Sequence, residues 1–167
     1  YRKVEGLWDR LETCCDLSGI RLTPVPHFSW QLAESYDVEA VVGALEQLSK
    51  DLSPFDIQTS GLGIFSGDSP VLYLPVVKDQ RLLELHKTIS KRLTGLGRTV
   101  SKHYAPEHWI PHITLAHGDT SAEQVSRAVG MLAEAPFCWK IAIDNLALVE
   151  QEGNETGKLI GQVKLKA

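Results

Sequence analysis

Pro111-His112-Ile113-Thr114-Leu115 is written proline, histidine, apolar, hydroxyl, apolar. Pro26-His27-Phe28-Ser29-Trp30 follows the same order 85 positions earlier (112 − 27). On a β-strand, alternate side chains share a face. His112 and Thr114 then point one way, and Ile113 and Leu115 the other. His27 and Ser29 share a face in the same manner, opposite Phe28 and Trp30. Each segment can bury its apolar side under a helix and present an imidazole with a hydroxyl. Pro26 and Pro111 supply no backbone N–H, which suits the start or edge of a strand. They also push the residue before them toward extended geometry. Strands are predicted over 25–33 and 112–118.

The elements around these two segments also recur. Val4, Leu7, Trp8 and Leu11 have helical spacing, so a helix is predicted over 3–16. Asp37 caps a predicted helix running to Lys50. The apolar runs 55–65 and 71–77, joined by Ser66-Gly67-Asp68-Ser69-Pro70, read as a hairpin. A helix over 79–93 and an irregular stretch over 94–110 follow. After the second histidine segment, Ser121 caps a predicted helix to Glu134. The runs 137–151 and 158–165 then form a second hairpin, across a turn containing Gly153, Asn154 and Gly157.

Strand, helix, strand, turn, strand therefore occurs twice. The expected fold is α+β and bilobal: a pseudo-two-fold repeat of strand-helix-hairpin units spanning about 24–77 and 111–166. Antiparallel or mixed sheets would line a central cleft, with helices outside. The helix at 3–16 lies outside the repeat, and the whole of 1–167 is read as one domain.

The 167 residues are 43% hydrophobic and 23% charged, which predicts a packed core. A net charge of −4 argues against a broad grip on duplex DNA, which needs clustered Lys and Arg. A short nucleotide held in a pocket is compatible with it. Cys14, Cys15 and Cys138 have no regular spacing and are expected to be free thiols. No apolar run reaches the roughly 18–20 residues of a membrane span. The first residues lack the apolar stretch of a signal peptide. The expectation is a cytoplasmic monomer with no membrane contact.

His-x-[Ser/Thr] also occurs at His86-Lys87-Thr88. That match lies in a helical pattern, where residues two apart do not face each other. His86 is expected to be an ordinary, partly buried helix residue.

The paired motifs His27-Phe-Ser-Trp30 and His112-Ile-Thr-Leu115 resemble those of the two-histidine (2H) phosphoesterase superfamily, as does the flank Trp109-Ile110-Pro111. This superfamily contains RNA 2′,3′-cyclic phosphodiesterases and 2′-5′ RNA ligase proteins. The resemblance covers about Pro24 to Leu165. It implies a cyclic phosphodiesterase working without metal or cofactor on 2′,3′-cyclic or 2′-5′ bonds of short RNA ends or small nucleotides, with reverse ligation conceivable. Its catalytic pair falls on His27 and His112, and its phosphate-binding hydroxyls on Ser29 and Thr114. Ser29 departs mildly from the pattern, where Thr is frequent, and loses the stiffness of a β-branched side chain.

Two imidazoles suit this chemistry, because a side chain with a pKa near 6.5 can supply one neutral base and one protonated acid near neutral pH. A nucleotide base would need an aromatic surface. Tyr104 and Trp109 are the first candidates, and Phe65 and Tyr73 weaker ones. Arg98 and Lys102 could approach phosphate. One rival is a metal site among His103, His108, His112 and His117, but Pro111 interrupts the helix that the spacing of His108 and His112 would require. The other rival is a non-catalytic module that binds a nucleotide or RNA end in a similar pocket.

Overall fold

Side-chain caps mark the starts of three α-helices, and a left-handed residue marks the end of the first. The computed structural model describes residues 1–153 and 155–166; Asn154 of the predicted turn, and Ala167, lie outside them. Helix α1 spans Arg2–Cys15 and buries Val4, Leu7, Trp8, Leu11 and Cys15 on one stripe. It ends where Asp16 turns left-handed at φ 56°, the Asp16 N–H donating to the Glu12 carbonyl and the Leu17 N–H to that of Leu11. Helix α2 (Val38–Asp51) is capped by Asp37, whose carboxylate accepts from the Ala40 N–H. Asp79 caps α3 (Gln80–Arg92) in the same way. Ser121 and Gln124 form a reciprocal capping box on α4 (Ala122–Leu132).

The strands are short and antiparallel. They are β1 (Ala33–Tyr36), β2 (Phe55–Gln58), β3 (Gly63–Phe65), β4 (Val71–Pro75), β5 (Gly97–Val100), β6 (His112–Ala116), β7 (Lys140–Ile143), β8 (Asn145–Glu150) and β9 (Lys158–Lys164). They pair as β1–β5, β2–β7, β3–β4–β6 and β8–β9. The fold is thus α+β, with four α-helices and small antiparallel sheets among the described residues. None of these helices is long and apolar enough to cross a membrane.

Several boundaries differ from the sequence reading. The run 55–65 breaks between Gln58 and Gly63, around Gly61 at φ 80°. Its first part leaves the hairpin to pair with β7, Phe55 opposite Ile143. The run 137–151 likewise divides at Asp144. The stretch 94–110, expected to be irregular, contains β5. The largest correction concerns the first histidine segment. Strand structure starts only at Ala33, and 26–32 forms no ladder. Pro24 and Pro26 offer no N–H, and the carbonyls of Ser29 and Trp30 are taken by side chains.

The two halves of the sequence are also interleaved. The hairpin β3–β4 comes from the first half, and its sheet is completed by the histidine strand of the second, with Tyr73 opposite Thr114 and Pro75 opposite His112. Helix α1 packs on α4 and β6, and α2 packs on β8 and β9. The core joins these layers through Leu11, Leu17, Leu48, Leu72, Leu74, Leu115 and Leu132.

Candidate active site

Strand β6 shows the expected alternation. Ile113 and Leu115 are buried, and His112 and Thr114 are half-buried on the other face. The Trp8 indole N–H donates to the Thr114 carbonyl at 3.1 Å, so α1 holds the backbone of this strand. In the first motif Pro26 is buried and His27 exposed. Ser29 is half-buried, and Phe28 and Trp30 turn toward the core.

Both imidazoles are fastened by the same local device. The His27 Nδ1 lies 2.9 Å from the Val25 carbonyl oxygen, and the His112 Nδ1 lies 2.6 Å from that of Ile110. A carbonyl only accepts, so each Nδ1 carries the hydrogen. Each Nε2 then holds a lone pair in the neutral ring and a proton in the charged one. A proline stands between the two partners each time, fixing φ and aiming the carbonyl of the preceding residue back at the ring. Reading the prolines only as strand-edge residues missed this bond.

The surroundings of His112 are aromatic. Its ring meets Phe65 edge-on, centroids 4.9 Å apart at 84°, and lies 5.1 Å from Tyr73. Phe65 and Tyr73 stack on each other at 4.2 Å. Gly63, opposite Tyr73 in the ladder, makes this possible: a Cβ there would sit 2.4 Å from the Tyr73 Cε2. Burial lowers the His112 pKa from its usual 6.5, and a charge on His27 lowers it further. The two histidines are therefore within electrostatic range of each other. His117, just past β6, is lowered by burial, is raised by Asp119, and also feels His27. The sequence reading weighed His117 only as a metal ligand.

The other candidates fall into three groups. The Tyr104 hydroxyl stands against the Ser29 side chain, and burial raises its pKa. That places Tyr104 beside the Ser29 hydroxyl, with its ring half-buried. Trp109 is only 1% exposed, so no ring face is open to a nucleotide base. Its expected role as a substrate contact is corrected: the ring lies in the core, stacked on His86 at 4.0 Å. Tyr73 is also buried, whereas Phe65 keeps exposed surface beside His112. Arg98 and Lys102 are exposed. Among the described residues, no three His, Cys, Asp or Glu side chains converge as a metal site.

A cavity of about 400 Å³ lies behind the first motif, between residues 27–36, α2 and β8. Its walls include Val41, Leu45, Ile89, Leu146 and Leu148 at the apolar end, and His27, Ser29, Gln31 and Glu34 of the first motif and its continuation at the polar end.

A family model described as the 2′-5′ RNA ligase superfamily matches residues 3–155. No curated protein gives a significant match.

Proposed function

Because the chain belongs to the 2′-5′ RNA ligase superfamily, the two-histidine phosphoesterases, we propose that it is a metal-independent phosphodiesterase acting on 2′,3′-cyclic or 2′-5′ bonds of short RNA ends or small nucleotides. The observation that carries this reading is the shared fastening of His27 and His112, which leaves both Nε2 atoms free for chemistry while a charge on His27 is felt at His112. We take the two halves to be related by an approximate two-fold axis, with the cleft between them. The antiparallel pairing of β2 with β7, the strands that precede the hairpins β3–β4 and β8–β9, supports that symmetry.

In the proposed reaction, the neutral His112 Nε2 takes a proton from water. The water oxygen attacks phosphorus in line, and the bond to one ribose oxygen breaks. The protonated His27 Nε2 gives its proton to that leaving oxygen. His112 ends protonated and His27 neutral, and exchange with solvent restores both. Burial beside Phe65 and Tyr73 favours the neutral base at His112. Exposed His27 can carry the acid's charge in water. Each proton transfer contributes about 10²–10⁴-fold. The Ser29 and Thr114 hydroxyls donate to the non-bridging oxygens, where negative charge gathers. Phe65 offers a partly exposed ring on which a base can stack.

The test is turnover of 2′,3′-cyclic nucleotides in the presence of EDTA, with product identification. Turnover supports the proposal. Binding without turnover replaces it with the nucleotide-binding module, and activity lost to EDTA and restored by zinc replaces it with metal chemistry.

A further inference from the structure

We infer that Trp109 and His86 are positioning residues that hold the first histidine motif in register with the second, a role that rests on the function proposed above. The first motif needs such support because 26–32 belongs to no β-ladder. On one side it borders the 400 Å³ cavity, which separates it from β8. On the other side two consecutive carbonyls are received by buried rings. The Trp109 Nε1–H donates to Ser29 at 2.9 Å. The His86 Nε2 lies 2.9 Å from the Trp30 carbonyl oxygen, which can only accept, so Nε2 carries the hydrogen.

Position in the chain turns this support into a link between the motifs. Trp109 precedes Ile110, whose carbonyl fixes the His112 ring. One short segment therefore holds the backbone of Ser29 and the imidazole of His112. The Lys78 ammonium anchors that segment, donating to the Trp109 carbonyl at 2.7 Å. The two rings are also mutually packed. His86 and Trp109 lie 14° from parallel, and the Trp30 ring stacks on Trp109 at 5.3 Å.

His86 is a costly choice if packing were its only task. It is fully buried, and its Nδ1 has no hydrogen-bond partner; the Tyr104 carbonyl it faces is itself an acceptor. A leucine would fill such a site without burying an unpaired ring nitrogen. The Nε2–H bond to the first motif accounts for the imidazole.

The experiment compares Trp109→Phe, His86→Leu and His86→Gln with wild type. Trp109→Phe keeps a ring and removes the N–H; His86→Gln keeps a donor. Three readouts are taken: melting temperature, kcat on a 2′,3′-cyclic nucleotide, and histidine Cε1–H resonances titrated with inorganic phosphate. In Trp109→Phe and His86→Leu, kcat is expected to fall about 10- to 100-fold, the cost of displacing a catalytic group by an ångström. The phosphate response of His27 should weaken while that of β6-held His112 persists, and His86→Gln should recover part of kcat. A lower melting temperature with unchanged kcat and an unchanged His27 response in Trp109→Phe overturns the inference; that variant decides even if His86→Leu fails to fold. Wild type with neither turnover nor a phosphate response overturns the proposed function and the inference together. Active wild type with fully active Trp109→Phe overturns the inference alone.

Discussion

His27 and His112 are fastened alike: each Nδ1–H reaches the carbonyl of the residue before its proline, at 2.9 Å on Val25 and 2.6 Å on Ile110. The two rings arrive from different backbones. One sits on a strand in a three-stranded sheet, the other on a ladderless segment. A local bond that needs no sheet can impose the same tautomer on both. Removing either ring removes one proton transfer. His27→Ala and His112→Ala are each expected to lower kcat on 2′,3′-cyclic nucleotides by about 10²–10⁴-fold, with melting temperatures close to wild type for exposed His27.

The hydroxyls should matter less to binding than to rate, since charge on the non-bridging oxygens peaks in the transition state. Thr114→Val keeps the strand-forming shape and removes the donor. We expect kcat to fall about 10²-fold, with a smaller change in KM. A rise in KM alone would mean that the hydroxyl binds substrate and transition state equally and gives no rate.

Burial sets the pH at which His112 becomes a base. Its pKa is lowered below 6.5, so the neutral form survives to more acidic pH, and the acid limb of kcat/KM is expected below 6.5. Phe65→Ala opens the ring to water, which raises the pKa and moves that limb to higher pH. The same change should raise KM for nucleotides but leave the Kd of inorganic phosphate unchanged, because a stacking face is lost. A limb that stays in place in the Phe65→Ala profile would contradict the assignment of His112 as base.

Folding stability carries the same sign. His86, His112 and His117 all have folded pKa values lowered from 6.5, chiefly by burial. The unfolded chain therefore binds protons first as pH falls. Their contribution is fully present above 6.5, is lost as pH drops through that value, and levels off below the folded pKa values. Urea unfolding at pH 7.5 and 5.5 checks this, and His86→Gln should show a smaller difference between the two.

Gly63 is where the aromatic wall of the site meets the backbone. Gly63→Ala would drive a Cβ into the Tyr73 ring. A cost of about 1–3 kcal/mol is expected from overpacking, together with a fall in kcat as Phe65 and His112 shift.

The repeated spacing of proline, histidine and hydroxyl made the candidate pair legible, and helical periodicity with Asp37 and Ser121 located α2 and α4 to within a residue at their starts. Pairing partners were not legible. An apolar run says that a strand is half-buried, not which strand it joins, so β2 was assigned to its own hairpin instead of to β7. The first motif alternates like a strand, yet long-range donors from Trp109 and His86 replaced the ladder, and no local pattern announces a donor 80 residues away. The same contact explains why Trp109 was misread. Its position beside the second motif suggested a substrate contact, but only the fold shows that its ring faces inward.

The most direct measurement is a crystal structure with the nucleoside monophosphate product bound. The proposed chemistry predicts the Nε2 atoms of His27 and His112 both within about 2.6–3.2 Å of oxygens on a single phosphorus, with the Ser29 and Thr114 hydroxyls on its other oxygens. A phosphate that touches only one of the two rings would contradict it.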